Sequence, residues 1–278
     1  LWRRGLLIGA ILLISLATGL MLRGTSPNRL LTRLFVRQDS TWADMQARGT
    51  WRVGMDPSFP PFEELDAQGV PVGFDVDLVE AMAAQWGLEA EIVPVGFDSL
   101  VDALRAGRID SVVSALPYDP RATRDVTFSP PYFEAGLMLA VRAGAPISNV
   151  AQLEGRRVAV EWGSMGDMIG RRLEREGIGL TLVPYATPDE AVDALVNDLS
   201  IDALLIDQIS LRTAQGRGAA VVAVGAPLEG NPYVIASPLR AYDLEEQIVR
   251  TLAQLQADGV LAALEASWFG PLPAPLGP

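Results

Sequence analysis

Residues 51–82 read WRVGMDPSFPPFEELDAQGVPVGFDVDLVEAM, and the order of parts in this stretch decides the fold. An apolar strand over 51–55 runs into Asp56, Phe59 and Phe62 set among prolines. A turn follows, and Gly73-Phe74-Asp75 then opens an amphipathic helix. A strand that ends in a rigid loop bearing acid and aromatic groups, followed by a helix, is how α/β proteins build a small-molecule site beyond a strand's carboxyl end. The prolines lower the entropy that the loop loses on ordering. Asp75 and Asp77 read as negative charge placed at a helix N-terminus, and Phe62 and Phe74 read as core.

Outward from this unit the pattern continues. Ser40 or Thr41 caps a short helix through Ala47, which Gly49 ends. Strands over 51–55, 91–94 and 110–114 alternate with helices over 74–85 and 98–106. A second series follows, with strands over 157–161, 181–184 and 202–206 and helices over 165–176 and 188–197. Two βαβαβ runs predict two mostly parallel sheets flanked by helices, an α/β fold. The series also share words: DSLVDAL at 98–104 and DEAVDAL at 189–195 agree at five of seven positions. Each is followed by Ile-Asp (Ile109-Asp110, Ile201-Asp202), and each series opens with Arg-Val (Arg52-Val53, Arg157-Val158). The chain therefore reads as two lobes on one plan.

Composition narrows the chemistry. The 278 residues contain no Cys and no His, and all 22 basic residues are Arg. Thiol nucleophiles, disulfides, Cys/His zinc clusters and His general bases are excluded, and nothing calls for a cofactor or metal. The first 38 residues hold six Arg and no acid, leaving 16 Arg against 34 acids in the body, a net charge of −18. So acidic a body lacks the basic footprint that nucleic acid requires.

The N-terminus has its own signature. After Arg3 and Arg4, GLLIGAILLISLATGLML (5–22) is an uncharged run of 18 residues. As a helix it spans about 27 Å, enough to cross a bilayer core. No A-x-A site follows, so it reads as an uncleaved anchor rather than a removed signal peptide. Arg flanks both ends, so charge does not set its orientation. Residues 1–39 are thus expected to form a signal-anchor helix and basic linker, and 271–278 a Pro-rich tail.

The strand ends carry the polar groups. The first leads to Asp56, Phe59 and Phe62, and the third to SALPYDPR (114–121). The second series' first strand ends in EWGSMG (161–166) at a helix start, and its third ends at Asp207. A Gly163–Gly166 turn at a helix N-terminus leaves backbone N–H groups for a carboxylate or phosphate. Asp207 suits an ammonium, or caps the helix that follows it. Phe59 and Phe97 can sandwich an apolar or planar portion. Donors opposite an acid match a zwitterion.

With these motifs in place, residues 52–77 and 104–131, together with Ala257-Asp-Gly-Val260 and Trp268-Phe269-Gly270, resemble the family 3 solute-binding proteins of polar amino-acid ABC importers. The resemblance covers about 42–270. It implies the type II periplasmic-binding-protein fold, two lobes that close over ligand about two hinge strands. Lobe I would comprise 40–137 and 230–270, and lobe II 138–229, with a return strand over 231–236 and terminal helices over 242–269. By position it implies that Asp56, Phe59 and Phe97 line the pocket and that the segment Ser114, Ala115 and Pro117 approaches the ligand's α-group. Met165 and Gly166 N–H groups would hold a carboxylate, and Asp207 an ammonium. Pro117 and Met165 stand where the family usually has hydroxyl residues. The family's carboxylate-clamping Arg aligns with Ala122, so Arg121, one residue earlier, is the candidate, and Arg124 lies two residues later. Asp56 and Glu161 favour a cationic side chain.

The implied role is an extracytoplasmic, membrane-anchored monomer that delivers a small solute, an amino acid, to an ABC permease, with no catalysis. The alternatives are an enzyme resembling periplasmic cyclohexadienyl dehydratases, with Glu161 as its acid or base, and a ligand-sensing domain for a membrane receptor.

Overall fold

The computed structural model describes residues 40–270. The expected signal-anchor helix and linker (1–39) and the Pro-rich tail (271–278) lie outside the described residues. Among the described residues no helix is long and apolar enough to cross a membrane.

Two five-stranded sheets carry the fold. The first contains β1 (Thr50–Met55), β5 (Glu89–Pro94), β6 (Ser111–Val112), β7 (Val126–Phe128) and β15 (Ala236–Pro238), in the order β5-β1-β6-β15-β7. The second contains β9 (Leu137–Arg142), β10 (Arg157–Glu161), β11 (Thr181–Tyr185), β12 (Ala203–Asp207) and β13 (Val221–Glu229), in the order β11-β10-β12-β9-β13. Each begins with three parallel strands in the sequence second, first, third, so the repeated words do mark repeated topology. One strand in each sheet runs against the others, β15 in the first and β9 in the second, at the same place in the order.

Both faces of each sheet are covered. On one face of the first sheet lie α1 (Thr41–Arg48), α2 (Phe74–Trp86), α7 (Tyr242–Ala257) and α8 (Val260–Phe269), whose side chains join Trp51, Val53 and Met55 in one core. α3 (Leu100–Arg105) covers the other face through Leu100, Ala103 and Leu104. In the second sheet, period-2 alternation along β10 sends Val158 and Val160 to α4 (Met165–Arg175). It sends Ala159 to α5 (Pro188–Asn197) and α6 (Gln208–Gly216). Phe62 and Phe74 are fully buried, ringed by Phe133, Tyr233 and Phe269 with centroids 5.0–5.7 Å away, which is the edge and tilted packing that aromatic quadrupoles favour.

The chain passes from the first sheet to the second and back, and the two crossings pair with each other as β8 (Phe133–Glu134) and β14 (Pro232–Tyr233). Glu134 Oε1 ties them, accepting the N–H of Gly136 at 2.8 Å and of Asn231 at 2.6 Å. Gly136 has to lack a side chain, since a Cβ there would sit 2.3 Å from the Glu229 carbonyl oxygen.

Several local expectations are corrected. Ser40 occupies the N-cap of α1 without capping it, because its hydroxyl donates to Asp44 instead. The single return strand divides into β14 and β15, which serve different sheets. The loop over 58–72 contains a small three-stranded sheet of β2 (Ser58–Phe59), β3 (Glu63–Leu65) and β4 (Pro71–Val72). Asp75 is not a helix-dipole charge in water. It is completely buried and accepts hydrogen bonds from Ala115 N–H and the Tyr132 hydroxyl. Asp77 accepts the indole N–H of Trp268 at 2.7 Å, joining α2 to α8.

Candidate functional site

The carboxyl ends of the strands present two half-sites, one on each sheet. The first is a cavity of about 290 Å³ lined by Asp56, Phe59, Phe97, Ser114, Ala115 and Pro117, with Ser58, Glu63 and Tyr233 completing it. Asp56 is placed by the end of β1 and held by short bonds. Its Oδ2 accepts Phe97 N–H and its Oδ1 accepts the Ser58 hydroxyl, each at 2.8 Å. The Ser114 hydroxyl accepts Asp56 N–H at 3.0 Å and spends its own proton on Glu63 Oε1 at 2.8 Å. It therefore turns only an acceptor toward the cavity. Phe59 and Phe97 are nearly half exposed, 46% and 45%, and Phe59 stacks on buried Phe62 at 5.8 Å. They form apolar walls over an acceptor-rich floor.

Ala115 has φ of 40°, a left-handed conformation that costs a residue with a Cβ roughly 1–2 kcal/mol. The Asp75 carboxylate offsets that cost by taking Ala115 N–H at 2.6 Å. The turn leads to Pro117, which bridges to Tyr233.

The second half-site is a smaller cavity of about 50 Å³, lined by Glu161, Ser164, Met165, Gly166 and Asp207 among others. Ser164 caps α4, its Oγ accepting Asp167 N–H at 3.2 Å. The N–H groups of Met165 and Gly166 have no acceptor among the described residues, so the helix's partial positive end is open there. Gly166 lets the helix lie against β12, as a Cβ would meet the Leu205 carbonyl oxygen at 2.5 Å. Asp207 does cap α6, accepting Ser210 N–H on Oδ1 at 2.8 Å, and it also lines this cavity. Burial and the nearby Asp207 charge raise the Glu161 carboxyl above the ordinary carboxylate range. The half-sites adjoin: burial and then the Asp207 charge push the hydroxyl of Tyr233, a wall of the first cavity, well above its ordinary value, so Asp207 acts electrostatically across the two sheets.

Two candidate residues lie apart from both cavities. Gly163 adopts φ of +76° and donates its N–H to Asp167 Oδ2, shaping the turn without lining it. Arg121 sits in a short 3₁₀ turn over Pro120–Arg124, with its guanidinium Nη2 on Asp119 Oδ2 at 2.9 Å and its side chain 88% exposed. Arg124, also exposed, faces Asp125. Among the described residues no Arg lines either cavity. The lining carboxyls are Asp56, Glu63, Glu161 and Asp207, so acceptors dominate the pair of half-sites. Among the described residues no cluster of acids could hold a metal ion.

Ser58, Glu63 and Tyr233 escape a reading of the sequence. Ser58 and Glu63 look like ordinary polar residues in a turn-rich segment. Tyr233 reaches the cavity only because the returning chain pairs β14 with β8.

This architecture has known counterparts. The L-cystine-binding protein TcyJ of Escherichia coli (strain K12) is 26% identical over 264 residues, covering 94% of this chain and 93% of its own length. The structure of an ancestral cationic amino acid solute binding protein is 29% identical with a TM-score of 0.63, covering 83% of this chain and 100% of that one. The crystal structure of the L-cystine solute receptor of Neisseria gonorrhoeae in the unliganded open conformation shares the fold. Its TM-score is 0.72 at 24% identity, over 84% of this chain and 98% of that one. The profile of the bacterial extracellular solute-binding proteins, family 3, matches residues 51–271. With that match spanning both sheets and both cavities, the chain belongs to the bacterial extracellular solute-binding proteins, family 3.

Proposed function

We propose that this solute-binding protein captures a small amino acid bearing a cationic side chain between its two lobes and hands it to an ABC importer. The observation that carries the ligand class is the charge of the half-sites: acids and oriented acceptors line both, with no guanidinium. An ammonium or guanidinium is the group such a lining stabilises. The open first turn of α4 offers two N–H groups to the ligand's carboxylate, replacing the usual Arg clamp. Phe59 and Phe97 supply faces for the aliphatic or planar portion. Contacts made to both half-sites at once would favour the closed arrangement, because only differential affinity shifts a conformational equilibrium.

In this reading lobe I comprises 40–137 with 230–270 and lobe II comprises 138–229, consistent with the strands in each sheet. The apolar run at 5–22 anchors a monomer to the outer face of the membrane. The role is binding rather than catalysis, supported by TcyJ, which is named as a binding protein.

Tryptophan-fluorescence melting of the full chain in detergent, screened against L-arginine, L-lysine, L-histidine, L-cystine and neutral amino acids, tests the reading. A ligand present at a hundred times its Kd stabilises by about 2.7 kcal/mol, a readable rise in Tm. The cationic amino acids are expected to give that rise. A response to L-cystine alone overturns the cationic assignment, and turnover of prephenate-like acids with no amino-acid response overturns the transport role.

A further inference from the structure

In the wall of the first half-site lies Glu63, and behind it Asp75, two buried acids to which the binding scheme gives no part of the ligand. Glu63 and Asp75 are 1% and 0% exposed, and among the described residues neither has a cationic partner. Glu63 Oε1 accepts the Ser114 hydroxyl. Asp75 Oδ2 accepts Ala115 N–H at 2.6 Å and the Tyr132 hydroxyl at 2.9 Å. The remaining oxygens, Glu63 Oε2 and Asp75 Oδ1, are buried without any conventional donor. The two side chains lie close enough to hydrogen-bond to each other once one of them carries a proton.

A bond between two carboxyl groups requires a proton on one of them. Its place follows from the donors: Asp75 already receives two from the protein, and Glu63 receives one. Charge is more stable on Asp75, which has the more donors, so the proton resides on Glu63 Oε2 and points at Asp75 Oδ1. Every buried oxygen then has a partner, as buried polar groups require. The other titratable groups facing the pair are Asp56, Tyr132 and Tyr233, all acidic, so nothing nearby favours a second negative charge. Burial first, then the Asp75 charge, hold Glu63 far above the ordinary carboxylate range.

We propose that Glu63 and Asp75 share one proton at neutral pH and act together as the positioning unit of the ligand pocket. Glu63 orients the Ser114 hydroxyl, and Asp75 holds Ala115 in its left-handed turn. One hydrogen-bonded chain thus runs from Asp56 N–H through Ser114, Glu63 and Asp75 to Ala115 N–H, and both of its ends line the cavity. Loss of the proton sets two buried carboxylates against each other and releases both ends. The consequence for affinity rests on the cavity being the solute site; the shared proton does not.

Carboxyl ¹³C NMR of the full, ligand-free chain tests the proton directly. The Glu63 Cδ signal is expected to stay at its protonated position between about pH 5 and pH 8, where an ordinary glutamate is ionised. In Asp75→Asn, whose amide donates where Asp75 accepted, the Glu63 signal is expected to move to the ionised position. Calorimetry with L-arginine tests the positioning role. Glu63→Gln, which keeps an oxygen for Ser114 and an N–H for Asp75, is expected to bind within about twofold of the unmodified chain, and Glu63→Ala about tenfold or more weaker. An ionised Glu63 at neutral pH in the unmodified chain overturns the proposal whatever the ligand proves to be. A Gln variant as weak as the Ala variant overturns the positioning role. Absence of any L-arginine binding with a protonated Glu63 supports the shared proton and counts against the ligand assignment.

Discussion

Asp110 and Arg52 hold each other at both ends of the peptide unit. Asp110 N–H donates to the Arg52 carbonyl oxygen at 2.8 Å, and the Asp110 carboxylate accepts Arg52 N–H at 2.8 Å and its guanidinium at 2.7 Å. Asp202 and Arg157 repeat the backbone part of this clamp in the second sheet, at 2.8 and 2.9 Å. The paired Arg-Val and Ile-Asp words of the sequence are therefore one device used twice, pinning the start of each sheet's first-in-sequence parallel strand to its third.

Removing the buried clamp is expected to cost more than removing the exposed one. Asp110 is 3% exposed and also pairs with Arg48, so Asp110→Ala takes the carboxylate away from two guanidinium groups and leaves the Arg52 N–H without its acceptor. A loss of about 2–3 kcal/mol is expected, against about 1 kcal/mol for the more solvated Asp202→Ala. Urea midpoints of the two variants check the order.

Gly166→Ala probes the helix end that lines the second cavity. Its new methyl would have to push α4 away from Leu205, at an expected cost of about 1–3 kcal/mol in stability. The same shift moves the Met165 and Gly166 N–H groups, so affinity for L-arginine is expected to fall about tenfold or more. Calorimetry below the melting range separates the two effects.

Asp207 has two duties that one pair of variants can split. Asp207→Asn keeps an oxygen for Ser210 N–H and removes the charge, so cationic affinity falls while Tm holds. Asp207→Ala also removes the cap, at about 1 kcal/mol. Equal affinity in the unmodified chain and both variants would exclude Asp207 from the solute site.

Arg121→Ala is expected to leave affinity within about twofold, since an exposed ion pair outside both cavities contributes little. A fall of about tenfold would mean that the guanidinium leaves Asp119 to clamp a carboxylate in the closed protein.

The pH dependence of folding carries the mark of Glu63. Burial and Asp75 raise it from an ordinary 4.5 to about 10, so between those values the folded chain binds a proton that the unfolded chain has released. Its contribution to stability is complete below the unfolded value and declines as pH rises toward the folded one, by up to about 1.4 kcal/mol per pH unit. Urea midpoints between pH 5.5 and 8.5 are expected to fall less steeply in Glu63→Gln than in the unmodified chain.

Much of this molecule is legible along the chain. The alternation at 157–161 and the matching words at 98–104 and 189–195 lead to the right elements and sheet plan, because periodicity and capping act over a few residues. The candidates at strand ends, from Asp56 to Asp207, line the cavities for the same reason: a strand's end is a local event with a predictable place in an α/β sheet. Arg121 shows the limit. It is the candidate clamp only as the Arg one residue before the aligned position, Ala122, and its partner here, Asp119, lies two residues away and is favoured by the turn itself.

What the sequence by itself determined is the α/β architecture, the duplicated plan, the acidic body without Cys, His or Lys, and the apolar run at 5–22. What only the tertiary structure decided is the state of its polar groups. Glu63 meets Ser114 across 51 residues, and Asp75 meets Tyr132 across 57. A carboxyl group's charge is set by its solvation and partners, and those exist only once distant strands have packed. Helix and strand are written in local spacing; a buried proton is written in contacts.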